Sequence, residues 1–159
     1  METAMHDFAA QVGESVRAAR ESRRQQQETL RREGEDTARQ LRHEQERASE
    51  LVVTTWERIR TAAQASDGAL TVDRSESNGV TIFELRWQEG QPARSLQITV
   101  DETDGMIQAA WIVASGHGRS VDAPSIPASG LETSKLESVI LLLVDQPRWA
   151  HGAIPTIPW

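Results

Sequence analysis

The sequence contains no cysteine, which excludes disulfide bonds, thiol catalysis and cysteine-ligated zinc sites without fixing the cellular compartment. Long hydrophobic runs are also missing. The longest, residues 139–144, is far shorter than the roughly 18 residues that a membrane-spanning helix needs. The first ten residues include Glu2 and Asp7 and do not resemble a secretory leader. We therefore expect a cytoplasmic protein with no membrane partner.

Proline is missing from residues 17–47, which contain a single glycine, Gly34, and are rich in charge. The arginine, glutamate and glutamine side chains of this segment lose little rotamer freedom in a helix. Apolar residues recur at intervals of eleven, and because eleven residues fill three helical turns, these side chains share one side of a helix. The pattern predicts a long, coiled-coil-like helix over residues 1–66 with this stripe: Phe8, Ala19, Leu30, Leu41, Val52 and Ala63.

A single helix over residues 3–65 would be roughly 95 Å long. Residues 67–159 can form a body only about 30–35 Å across. One chain therefore cannot cover the whole stripe unless the helix folds back on itself at Gly34. The good helix formers on both sides of Gly34 favour a continuous helix instead. We predict a homo-oligomer whose interface contains six apolar residues: Phe8, Val12, Ala19, Leu30, Leu41 and Val52.

Residues 70–114 have the period of β-strands rather than of a helix. Apolar and polar residues alternate in short segments, and the pairs Asn-Gly at 78–79 and Asp-Gly at 104–105 are typical of hairpin turns. The last of these segments, residues 106–114, is apolar on both faces, as expected of a strand that is central in a sheet or covered on both sides. This pattern predicts a four-stranded antiparallel meander.

A C-terminal helix is predicted after the meander, packed on the sheet and ending before Pro147. Ser129 and Glu132 match a capping box, and the helix is apolar almost all round, so we expect it to be covered on nearly every side. The fold class is therefore α+β, with domains at residues 1–66 and 67–159. This order of elements occurs in several small α+β groups, among them secretion chaperones and ligand-binding grip folds, so it indicates no function.

The sequence offers little chemistry. The four histidines lie far apart, without the spacing of metal ligands, and no phosphate-binding loop or nucleophile–base pair is recognisable. We predict no metal site, no cofactor and no enzymatic activity. A pocket for a small molecule remains an alternative, because Trp87 and Trp111 lie on neighbouring apolar faces and His117 and Arg119 lie in a glycine-rich loop. Core packing is the competing explanation for both tryptophans.

The charge pattern bears on the class of partner. The six arginines of residues 17–32 could contact phosphates, but the chain has a net charge of −7 and this segment has no aromatic residues, so we do not expect a nucleic-acid partner. The apolar tail either packs on its own domain or docks on a partner protein through Ile154, Ile157 and Trp159.

These observations favour an adaptor-like, non-enzymatic interaction protein. We expect it to oligomerise through its N-terminal helix and to present the α+β domain to an unknown protein partner. The alternative is a small-molecule-binding α+β domain.

Overall fold

The structure is a computed structural model that describes residues 2–114 and 119–159, without the side chains of Arg119, Ser120 and His151. It confirms the α+β class, with a long N-terminal helix, an antiparallel meander and a C-terminal helix. The elements are α1 (Glu2–Ala65), β1 (Leu70–Ser77), β2 (Val80–Trp87), β3 (Arg94–Asp101), β4 (Met106–Val113), β5 (Arg119–Asp122), β6 (Ile126–Pro127), α2 (Thr133–Val144) and α3 (Gln146–Trp149).

The chain forms two compact units, residues 1–40 (the N-terminal unit) and residues 41–159 (the C-terminal unit). The helix α1 contributes to both and is continuous through Gly34, as the flanking helix formers predict. The unit boundary lies earlier than residue 66, where the sequence pattern placed it. The reason is that the last part of α1 supplies core residues to the C-terminal unit: Ala48, Leu51, Val52, Thr55 and Ile59 are buried.

The described residues form one sheet of six strands, in the order β1-β2-β3-β4-β5, with β6 pairing with β4. Every pairing is antiparallel. Asn78 and Gly79 both have positive φ, as the predicted hairpin turn requires. The sequence missed β5 and β6, because strands of four and two residues are too short to show an alternation.

One face of the sheet carries the hydrophobic core and packs against α2 and the end of α1. On β3, for example, Leu96, Ile98 and Val100 are buried. The opposite face is mostly half-exposed, including Met106 and Ile112 on β4. Because β4 pairs with β3 on one side and with β5 and β6 on the other, its apolar outer residues reflect a central position rather than a second covering layer.

The turn between β3 and β4 approaches α1 closely. Gly105 has a φ of +71°, and a Cβ atom there would lie 2.7 Å from the carbonyl carbon of Glu44. The Gln45 side-chain amide donates a hydrogen bond of 2.7 Å to the Thr103 carbonyl. A glycine is therefore required at this turn both for its backbone conformation and for its lack of a side chain.

The predicted capping box is wrong. Ser129 lies in a 3₁₀ turn, Ala128–Gly130, and its amide and hydroxyl both donate hydrogen bonds to the Glu44 carboxylate on α1. These bonds lower the pKa of Glu44. The helix α2 begins at Thr133, and its N-cap residue, Glu132, makes no side-chain capping bond among the described residues. Ser129 thus joins two distant segments instead of starting a helix.

The prediction that the C-terminal helix is covered on nearly every side is also wrong. Leu136, Val139, Ile140 and Leu143 are buried, but Leu141 is 66% exposed and Val144 is also exposed. The sheet and the end of α1 cover one side of α2, and the apolar residues on its opposite side are partly exposed to solvent.

Candidate interaction surfaces

The N-terminal unit exposes a row of apolar side chains on one side of its helix. Met5, Phe8 and Leu30 are 74%, 67% and 67% exposed. At roughly 100° per residue, five of the exposed residues lie within an arc of about 80°. We call these five the N-terminal stripe: Met5, Phe8, Val12, Val16 and Ala19. Large apolar side chains in contiguous, exposed rows mark surfaces that another molecule covers.

Ion pairs along the helix stabilise the same unit. The Arg31 guanidinium contacts Glu28 at 2.6 Å and Glu35 at 2.5 Å, and the Arg32 Nε lies 3.0 Å from Glu28. Hydrogen bonds from both arginines lower the pKa of Glu28 to about 2. These exposed pairs support the helix modestly. They also occupy part of the arginine-rich segment that a phosphate contact would need.

The predicted oligomer interface is only partly available. Phe8, Val12, Ala19 and Leu30 are exposed in the N-terminal unit, and Leu41 is exposed at the start of the C-terminal unit. Val52 is different, because it is only 7% exposed and belongs to the core of its own chain. We therefore exclude Val52 from the interface. The eleven-residue spacing could not separate it from the others, because a core stripe and an interface stripe have the same period.

The C-terminal tail packs on its own unit. Ile157 is buried, and Ile154 and Trp159 are half-buried against the core. The Trp111 indole nitrogen donates a hydrogen bond of 2.9 Å to the Pro155 carbonyl. The structure therefore matches the alternative in which the tail packs on its own domain. We do not assign Ile154, Ile157 and Trp159 to partner docking.

The pocket predicted from four residues is not assembled in the described part of the chain. Trp111 is fully buried, with its ring edge-on to Trp149 at a centroid distance of 5.2 Å. Trp87 lies two strands away and is half-buried. His117 and the side chain of Arg119 lie outside the described residues. Core packing accounts for Trp111, as the competing explanation stated.

Trp87 does line a cleft within the C-terminal unit. The cleft has a volume of about 350 Å³ and lies beside the ends of α1 and α2. Its lining has two polar side-chain groups, the Ser66 hydroxyl and the Trp87 indole nitrogen. The hydroxyl already donates to the Ala63 carbonyl and accepts from the Leu70 amide. The rest of the lining is apolar, so the cleft suits an apolar group better than a polar one. Its walls are Ala62, Ala65, Ser66, Ala69, Leu70, Trp87, Ile140, Leu141 and Val144.

Sequence reasoning missed the buried arginine of this unit. Arg94 is 2% exposed, on the core face of β3, with its guanidinium carbon 4.6 Å from the Trp87 ring centroid and 4.3 Å from that of Trp149. Burial lowers the pKa of Arg94 to about 10, which leaves it charged at neutral pH. Two aromatic faces on one guanidinium are a favourable cation–π arrangement.

Hydrogen bonds explain why an arginine occupies this position. The Arg94 Nε donates to the Leu143 carbonyl at 2.8 Å, one of the carbonyl groups that the C-terminus of α2 leaves unpaired. Its Nη1 donates to the Pro92 carbonyl and to the Gln146 side chain. Gln146 in turn bonds both the amide and the carbonyl of Gln91. The cluster fastens the end of α2 to the turn between β2 and β3, which makes it structural. An isolated arginine at the start of a strand gives no sequence signal of this role.

Comparisons with models of protein families, with curated proteins and with solved structures found no match. Among the described residues, no group of three or more histidine, aspartate or glutamate side chains could hold a metal ion. Within the same residues, no helix is both long enough and apolar enough to cross a membrane.

Proposed function

We propose that this protein is a cytoplasmic, non-enzymatic assembly protein that forms a homo-oligomer through its N-terminal helix. It presents the C-terminal unit to a protein partner. One observation carries the proposal: the N-terminal stripe is exposed along one side of the helix. The partner of the stripe is a second copy of the same chain, in a coiled-coil-like contact.

The experiment is sedimentation of the full-length chain and of two variants over a range of concentrations. Phe8→Glu puts a charge on the stripe, and Ala10→Glu puts the same charge on the other side of the helix. We expect the wild type and Ala10→Glu to be oligomeric. In Phe8→Glu each chain loses one large contact, which weakens a dimer by roughly two to four orders of magnitude. A monomeric wild type would reject the proposal.

The C-terminal unit cannot be tested as residues 66–159 alone, because the core residues of α1 between Ala48 and Ile59 would be missing. Substitutions in the full chain avoid this problem. They change the stripe and leave the core intact.

A second candidate is the binding of a small apolar molecule in the cleft beside Trp87. Its support is the largely apolar lining and the volume of about 350 Å³, which is in the usual range of ligand sites. We expect an apolar fluorescent dye, anilinonaphthalene sulfonate, to bind there and to lose most of its signal in Leu141→Glu. Trp87→Phe keeps an aromatic wall and is the matched control. Equal dye fluorescence in all three chains would reject this candidate.

A further inference from the structure

We infer that the N-terminal helices of two chains pair antiparallel, with the two-fold axis at Val12. This inference rests on the proposed self-association and specifies its geometry. The stripe is symmetric about Val12: Phe8 and Val16 lie four residues to either side, and Met5 and Ala19 lie seven residues to either side. An antiparallel pair centred there places Val12 against Val12, Phe8 against Val16, and Met5 against Ala19. Every exposed residue of the stripe then meets another member of the stripe, as an isologous contact requires.

The next residue along the same side argues against a parallel pair. Arg23 lies eleven residues after Val12, within about 20° of it around the helix. In a parallel, in-register pair, Arg23 of one chain would face Arg23 of the other at the contact. Like charges there are costly, because both guanidinium groups lose solvent. In the antiparallel pair the two copies of Arg23 are 22 residues apart along the contact, roughly 33 Å, so they do not meet.

The charges beside the stripe complement each other only in the antiparallel pair. Glu2 and Arg20 lie on the same flank, each about 80° around the helix from Val12. A two-fold axis perpendicular to antiparallel helices brings equal flanks together. Glu2 of one chain then lies within about two residues, roughly 3 Å along the axis, of Arg20 of the other. The symmetry provides two such ion pairs. In a parallel pair the same side chains are roughly 27 Å apart along the axis.

The contact between the two stripes covers residues 5–19 of each chain, about 21 Å of helix. Leu30 lies eleven residues beyond Ala19 and meets no member of the other chain's stripe. In a parallel pair, by contrast, Leu30 of one chain faces Leu30 of the other and contributes to the contact. The antiparallel geometry therefore predicts that Leu30→Glu leaves the oligomer intact, whereas Phe8→Glu dissociates it.

Because the chain has no cysteine, single-cysteine variants report the geometry directly. Full-length Met5→Cys and Ala19→Cys chains are mixed in equal amounts in a glutathione redox buffer, and the disulfide-linked species are separated. Two copies of Met5 are roughly 21 Å apart along the axis of the antiparallel pair. Disulfides need Cα atoms closer than about 7 Å, so we expect the mixed disulfide to exceed either symmetric disulfide by about tenfold. A predominance of Met5→Cys linked to itself overturns the inference.

Val12→Cys separates failure of the geometry from failure of self-association. It links to itself in either orientation, because Val12 faces Val12 in both. Efficient linking of Val12→Cys together with self-linked Met5→Cys rejects the antiparallel geometry alone. A chain that sediments as a monomer, with Val12→Cys unlinked, rejects the proposed function and the inference with it.

Discussion

Two stretches of one helix, residues 2–40 and 41–65, have the same apolar period and opposite surroundings. In the first stretch Phe8 and Leu30 are largely exposed, and in the second Leu51 and Ile59 are completely buried. The second stretch packs against a sheet that its own unit supplies, whereas the described residues of the N-terminal unit provide no such cover for the first. The period of a stripe therefore predicts which side of a helix is apolar, but not what covers that side.

The largest effect should come from equal truncations in the two stretches. Leu51→Ala empties a fully buried site and should lower the free energy of unfolding by about 2–5 kcal/mol. Leu30→Ala removes an exposed side chain and should change it by less than about 0.5 kcal/mol. Urea denaturation of both variants measures this contrast. Similar losses in the two would show that Leu30 is covered in solution.

The buried arginine provides a second test of the C-terminal unit. Arg94→Ala leaves the Leu143 carbonyl without its partner and opens space between two tryptophan rings, so we expect a loss of about 2–4 kcal/mol. Arg94→Lys keeps the charge but loses the planar guanidinium with its several hydrogen-bond donors. Its stability should lie between those of the wild type and Arg94→Ala. Thermal unfolding ranks the three chains. A lysine variant as stable as the wild type would mean that charge alone matters at this position.

Replacing each of two glycines by alanine should change the stability in opposite directions. Gly105→Ala forces a side chain into positive φ and against the backbone of α1, so it should destabilise by at least about 1–2 kcal/mol. Gly34→Ala lies in a helix where, apart from the helix's own backbone and the two neighbouring residues, no described atom is within 4 Å of the new methyl group. It should stabilise the helix by about 0.5–1 kcal/mol. Circular dichroism during thermal unfolding measures both. Loss of helicity in Gly34→Ala would contradict the continuous helix.

The smallest expected effect is the loss of the Glu28 ion pairs at low pH. The pKa of Glu28 is about 2 in the folded chain, below its ordinary 4.5, so its ion pairs are complete above pH 4.5 and are lost as pH falls towards 2. An NMR titration of the Glu28 carboxyl carbon measures this pKa. The double variant Arg31→Gln and Arg32→Gln should return it towards 4.5, while Arg39→Gln should leave it unchanged. An unshifted pKa in the wild type would show that these ion pairs do not form in solution.

Much of the fold was predictable because local rules decide it. The residues of α1 are good helix formers, and the Asn78–Gly79 turn follows from the left-handed backbone that those two residues tolerate. The misses involve contacts between residues far apart in the chain. Ser129 has the sequence context of a helix cap, but it binds Glu44, which is 85 positions away.

The candidate oligomer interface was likewise predictable only where local spacing decides it. Phe8, Ala19 and Leu30 were predicted from their spacing and are exposed, and Val12, which was assigned to the same interface, is exposed too. Val52 has the same spacing and is core, and the tail residue Ile157 is apolar and covered. No local pattern distinguishes these cases, because burial depends on the surfaces that the rest of the chain brings into contact.

The sequence by itself determined that residues 2–65 are helical, which side of that helix is apolar, and that the following residues form an antiparallel meander. These are consequences of backbone propensity and of periods of 3.6 and 2 residues. Only the tertiary structure decided that Val52 lies inside, that Arg94 is held between two tryptophans, and that the N-terminal stripe is exposed. Each of these depends on long-range packing, in which a side chain is buried only if distant parts of the chain form a surface to receive it.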